Sequence, residues 1–210
     1  MEERMQMEQE VTLEQMLEAR ERRVQRQRTL LDRYRQSLIC LTMNVAGPVK
    51  NSLLIRRGFF WAEERLGQLA GRGISCLHRE RYGPATGNEG FYVVSGDAAA
   101  LKQLTVEMEE HCEIGRLLDL DVLDPRGEKM ERQSLGLMPR RCLICGGPAW
   151  ACARSRSHSV QELRQKTETM LRQAFAWQDA QTVAGLACRS LLYEVCVTPK
   201  PGLVDRKNSG

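Results

Sequence analysis

The stretch GRLLDLDVLD at 115–124 sets two aspartates, Asp119 and Asp121, one residue apart among leucines and a valine. On a strand, residues i and i+2 share a face, so both carboxylates project side by side while Leu118, Leu120 and Val122 turn inward. Two carboxylates held this way suit a hard cation such as Mg²⁺, which takes one or two carboxylates together with phosphate oxygens. Arg116, at the strand entry, offers a fork for bidentate phosphate binding. The plain alternative is that alternation needs polar residues on a solvent face, and spacing alone does not separate the two. Aspartate is depleted in strands, which leans towards a role.

A second set is Cys142, Cys145, Cys152 and His158. The Cys-x₂-Cys pair is a zinc half-knuckle, and a third cysteine with a following histidine completes a Cys₃His ligand count. Such a metal stabilises a loop that lacks its own core. Reduced core cysteines and a redox pair are the alternatives. Cys40, Cys76, Cys112, Cys188 and Cys196 sit in apolar surroundings and are expected as small core residues. A third set, Gly47-Pro48-Val49-Lys50-Asn51-Ser52, joins a strand to a helix, where backbone N–H groups and a lysine can hold an anion. An ordinary turn with an exposed lysine reads equally well. His78 and His111 have no evident partners.

The elements that must position these residues follow from periodicity. Thr12 and Gln15 form a capping-box pattern ahead of a helix reaching about Tyr34. Its expected buried stripe is Leu13, Leu17, Arg20, Val24, Gln27, Leu31 and Tyr34, which places Arg20 on the apolar face and in need of a partner. Residues 37–45 read as a strand, 51–69 as a helix, and 74–82 with 90–95 as a hairpin. Asp97 caps a helix over 98–112, 116–123 is a strand, and a shorter strand follows near 129–133 after the Asp124-Pro125-Arg126-Gly127 turn. Ser159 caps a helix to about Trp177, with an interruption at Gln178-Asp179 and a second helix beyond. The fold class expected is α+β: an antiparallel sheet with helices on one face, ferredoxin-like in its βαββαβ order, with an extra hairpin strand and terminal helices. The domain division expected is 1–177, then an incomplete second unit over 178–210.

The chain has 210 residues, of which 42% are hydrophobic and 28% charged, as in ordinary soluble globular proteins. No apolar run approaches a membrane span and the acidic N-terminus lacks a secretory core, so a cytoplasmic location with reduced cysteines is expected. The net charge of +4 is too mild to imply nucleic acid. Its distribution is uneven: Glu14 to Arg35 holds seven arginines against four acids, and Pro139 to Lys166 six basic residues against Glu162 alone. Such patches suit a phosphorylated ligand or an acidic protein, or are simply solvated faces.

Together AGPVKNSLLIRRGF (46–59), TVEMEEHCEIGRLLDLDV (105–122), PRRCLICGGPAWACARSRSHS (139–159) and the Arg20-x₂-Arg23-x₂-Arg26-Gln27 spacing resemble one family. It is the citrate lyase holo-acyl-carrier-protein synthases, or apo-citrate lyase phosphoribosyl-dephospho-CoA transferases, over residues of about 12 to 175. The resemblance implies a nucleotidyltransferase-type enzyme. It would move phosphoribosyl-dephospho-CoA from its triphosphate precursor to a serine of the citrate lyase acyl carrier protein, releasing diphosphate. It implies Mg²⁺ on Asp119 and Asp121, with Arg116, Lys50, Arg56, Arg20, Arg23 and Gly47 as substrate-binding candidates. The basic 139–166 segment would face the acidic carrier. The family pattern has His-Pro shortly before Gly-Arg, where this chain has Cys112-Glu113, so Glu109 or His111 becomes the candidate base. Residues 190–210 resemble the start of triphosphoribosyl-dephospho-CoA synthase, too short for that second activity. The competing function is a non-catalytic, zinc-stabilised binding module for an acidic protein or RNA.

Overall fold

The computed structural model describes residues 9–183. Helix α1 (Leu13–Tyr34) opens as its sequence dictates: the Thr12 hydroxyl accepts from the Gln15 N–H, and the Gln15 side chain accepts from the Thr12 N–H. Strand β1 (Ser37–Met43) follows, then α2 (Leu53–Gly67) capped by Ser52, β2 (Cys76–Tyr82) and β3 (Glu89–Val94). Helix α3 (Ala98–Glu110) is capped by Asp97 and leads through a 3₁₀ turn to β4 (Leu118–Leu123). Helices α4 (Ala149–Ser155) and α5 (Val160–Val183) close the described chain.

The sheet order is β2-β3-β1-β4 and every neighbouring pair is antiparallel. With the βαββαβ succession, that is the split-βαβ, ferredoxin-like arrangement expected from the sequence. Strand β1 lies in the middle and is buried on both faces. Ile39 and Leu41 join Phe59, Leu101, Leu118, Leu120 and Val122 under α2 and α3, while Leu38 and Cys40 join Leu30, Leu31, Phe91 and Leu123 under α1. The two crossover helices therefore share one face, and the N-terminal helix covers the other. Met170, Leu171 and Phe175 of α5 pack with Ile55, Ile114 and Leu117 into a third cluster.

Four expectations need correction. The packed face of α1 carries Ala19, Arg23, Gln27, Leu30, Leu31 and Tyr34; Leu13 is 76% exposed, and Leu17, Arg20 and Val24 also face solvent. In a helix so rich in arginine the apolar periodicity fits two adjacent faces, and the sheet selects the one whose small Ala19 permits close approach. Residues 129–133 form no strand. Asp124 Oδ1 accepts from the Arg126 and Glu128 N–H groups to tighten the turn, and only Lys129 bridges to Leu123, with Met130 N–H donating to Val122 O. Helix α5 runs unbroken through Gln178-Asp179 to Val183. Cys76 is exposed on the outer strand β2, whereas Cys40 is buried as expected. Cys188, Cys196 and the second-domain segment past Val183 lie outside the described residues.

Gly115 fixes the approach of β4 to α3. A Cβ there would stand 2.3 Å from the Met108 carbonyl oxygen and 3.2 Å from that of Glu109, both rigid backbone. Gly115→Ala is expected to destabilise the fold by about 1–3 kcal/mol or more, read as a lower denaturant midpoint with an unchanged slope.

Candidate functional site

On β4 the inward residues Leu118, Leu120 and Val122 lie under α2 and α3, so Asp119 and Asp121 share the α1 face, opposite Thr42 and Cys40 of β1. Both are half-buried. Lys129 Nζ sits 2.8 Å from Asp121, and Arg140 is 3.7 Å from Asp119. Burial first, and then the charge of Asp121, push the Asp119 carboxyl above its ordinary range against the opposing pull of Arg140. Burial alone would lower Lys129, but its hydrogen bond to Asp121 and the surrounding carboxylates outweigh this and hold it above its usual value. Cys40 forms the floor beside Asp121: burial pushes its thiol up to about 12, so it stays neutral and accepts a hydrogen bond from Gln27 Nε2 at 3.3 Å.

The free edge of β4 is closed by side chains. Glu109, 3% exposed on α3, accepts from Leu120 N–H at 2.8 Å and pairs with Arg140 at 2.7 Å and with Arg132. Lys102 Nζ donates to Leu120 O at 2.7 Å, and Arg140 also donates to Leu118 O. Arg140 thus reaches round the strand, from Glu109 on one side to Asp119 on the other. Arg132, Lys102, Arg140 and Lys129 were not singled out in the sequence. One signal did exist: Lys102 and Glu109 both fall on the buried stripe of α3 with Ala98, Leu101, Thr105 and Val106. Charges on such a stripe require partners.

The remaining expected residues are spread out. The loop after β1 begins beside the start of β4, where Asn44 N–H donates to Leu117 O at 2.7 Å. In that loop Gly47 adopts φ +87° beneath the Arg164 side chain, and Lys50 Nζ donates to Val45 O at 2.6 Å. Burial and then the nearby charge of Arg20 lower the Lys50 pKa. Arg23 is engaged with Glu89 at 2.7 Å, tying α1 to β3. Arg56 stacks over Phe60 on α2, across the sheet from the aspartates. Arg116 turns to the 142–158 segment and donates to Cys142 O at 3.0 Å. Glu109, expected as a base, is enclosed by its own partners, and His111 is exposed at the end of α3. A groove of about 740 Å³ along the other flank of α1, against Tyr82 and Pro84, contains none of the expected site residues.

Cys142, Cys145, Cys152 and His158 converge as their spacing suggested. Their ligand atoms all lie within 4.8 Å of one another, a group compatible with Zn²⁺.

Residues 11–174 match the sequence pattern of the apo-citrate lyase phosphoribosyl-dephospho-CoA transferases. The chain belongs to that family. It is 35% identical over 165 residues to the transferase of Citrobacter koseri, covering 78% of this chain and 90% of that protein. A probable transferase of Escherichia coli (strain K12 / MC4100 / BW2952) is 35% identical over 162 residues, 77% of this chain and 88% of its own length. Protein CitXG of Haemophilus influenzae is 36% identical over 201 residues, 95% of this chain, and the matched part spans 43% of that longer protein. Membership in a transferase family removes the ground for the non-catalytic binding module. No helix among the described residues is long and apolar enough to cross a membrane.

Glu109→Ala would leave two arginines beside an unpaired edge, and a loss of about 3–5 kcal/mol is expected by urea titration. Lys129→Ala, on the half-exposed outer side, is expected to cost about 1 kcal/mol or less in the same titration. Because the folded-state Asp119 carboxyl is raised above its unfolded value, its ionised form opposes folding once pH exceeds the unfolded pKa. Asp119→Asn is therefore expected to raise the denaturant midpoint at neutral pH. That gain should shrink to nothing as acid protonates Asp119 in both states.

Proposed function

We propose that this chain transfers the phosphoribosyl-dephospho-CoA group from its triphosphate precursor to a serine of the citrate lyase acyl carrier protein, with release of diphosphate. The observation that carries the reading is the pairing of Asp119 and Asp121, half-buried on one face, in a chain of this family, with Lys50 and Arg20 beyond the strand's beginning. The serine hydroxyl gives up its proton to solvent water as its Oγ–P bond forms, and the P–O bond to the departing diphosphate breaks. Displacement of this kind asks the protein mainly for positioning and for cationic stabilisation of the leaving group.

Mg²⁺ fits the aspartate pair on the chemistry of its donors: two hard carboxylates, side by side on one face of the strand, with Asp119 raised by burial and then by the charge of Asp121. When bound, it would neutralise charge on the phosphates. The chain's own residues do the rest. Lys50 and Arg20 bring paired positive charge to the triphosphate, and Gly47 turns the loop beneath the Arg164 side chain, which adds a further cation there. Lys129 and Arg140 hold the carboxylates in place until the cation and substrate arrive. The six basic residues of 139–166 offer the carrier an attractive surface. Zn²⁺ in the Cys/His group takes no part in these steps. A reducing cytoplasm, in which the thiols of the Cys/His group stay free, is the compartment that suits this chain.

The test is diphosphate release from the donor, measured with and without apo-carrier protein across a Mg²⁺ titration. Asp119→Asn and Asp121→Asn are each expected to lower the carrier-dependent rate by about 10²-fold or more, and Lys50→Met to a similar degree. Wild-type rates in both aspartate variants would remove the metal role.

A further inference from the structure

We propose that Cys142, Cys145, Cys152 and His158 bind one Zn²⁺, and that this ion clamps the loop bearing Arg140 against the free edge of β4. The ligands come from three places: Cys142 and Cys145 from a knuckle, Cys152 from α4, and His158 from the residue before the Ser159 cap of α5. Four ligands about 2.0–2.3 Å from a tetrahedral centre stand about 3.3–3.8 Å apart. Cys145 Sγ is 3.5 Å from Cys152 Sγ, and His158 Nε2 is 3.3 Å from Cys145 Sγ. The backbone is already shaped for this. Cys142 N–H donates to Gly147 O at 2.7 Å, Gly146 N–H to Cys142 O at 3.1 Å, and Gly146 takes φ +71°. These are soft thiolates with an imidazole, the donor set of a closed structural zinc site rather than of Mg²⁺.

Burial cannot hold this segment. From Pro139 to Val160 only Cys142 is buried, and Trp150 and Ile144 face solvent. A stretch of that length without a core needs a cross-link to keep one conformation. The cross-link has a definite load. Arg140 and Arg141 form the near side of the knuckle: Ala149 N–H donates to Arg140 O at 2.8 Å and Arg141 bridges to Pro148. Arg116 fastens the same turn to the start of β4 through Cys142 O. Arg140 then extends to Glu109, Leu118 O and Asp119. The metal is therefore a positioning element for Arg140, two residues from its first ligand.

The test uses the full chain purified under reducing conditions, and none of its readouts requires transfer. About one zinc ion per chain is expected by elemental analysis, and Co²⁺ exchanged into the site should show thiolate-to-cobalt absorption. His158→Ala should lose the metal and His158→Cys should keep it. Removing zinc should speed hydrogen exchange about tenfold or more in peptides covering 139–148 and 116–124, leaving β3 unchanged. A chain that holds no zinc and refuses Co²⁺, or that joins Cys145 to Cys152 by a disulfide, overturns the site. A zinc-loaded chain whose β4 exchange is unaffected by zinc removal overturns the clamp.

Discussion

A single buried carboxylate closes the open side of β4. Glu109 meets the Leu120 N–H, Arg132 and Arg140 at once, while Lys102 satisfies Leu120 O from the same helix. Edge strands expose unpaired backbone groups that invite further pairing, and here side chains fill that role at Leu118 and Leu120, with Met130 N–H meeting Val122 O beyond them. The arrangement has an electrostatic logic. An isolated buried Glu109 would be costly, but two guanidinium groups and a backbone donor compensate it. Everything that faces the aspartates depends on this closure, because it fixes the register of Leu118 to Val122 and brings Arg140 round the edge.

On the α1 face the balance is different. Burial and then the charge of Asp121 raise Asp119, and each aspartate is met by one cation from the chain that follows β4. At the other end Lys50 and Arg20 are two positive groups set against one another. A fold optimised for stability alone would have exchanged partners between these sets. Paired carboxylates at one end and two like positive groups at the other suit a cation and a polyphosphate that join them, and clustered titratable groups with shifted pKa values mark functional sites more often than scaffolds.

Much of this was legible in the residues themselves. The Thr12 box, the Asp97 and Ser159 caps and the alternation at 118–122 each specify local structure directly, and the strand order follows from the βαββαβ succession. The cysteine and histidine spacing gave a group that the fold does assemble. Three things were hidden for physical reasons. An arginine-rich helix has no unique apolar face, so periodicity points Arg20 inward where Arg23 belongs. Side-chain closure of an edge leaves no periodic signature, so residues 129–133 looked like a strand. The partners of Glu109 come from residues 102, 132 and 140, and contacts across such distances in sequence are set by the fold rather than by any local pattern.

The central claim is that this face performs the transfer. It is tested most directly by the intact mass of apo-acyl carrier protein after incubation with the chain, Mg²⁺ and the triphosphoribosyl-dephospho-CoA donor. One phosphoribosyl-dephospho-CoA increment on a single serine is expected, formed only with the metal present. A carrier that keeps its unmodified mass, with folded chain, donor and Mg²⁺ all present, would contradict it.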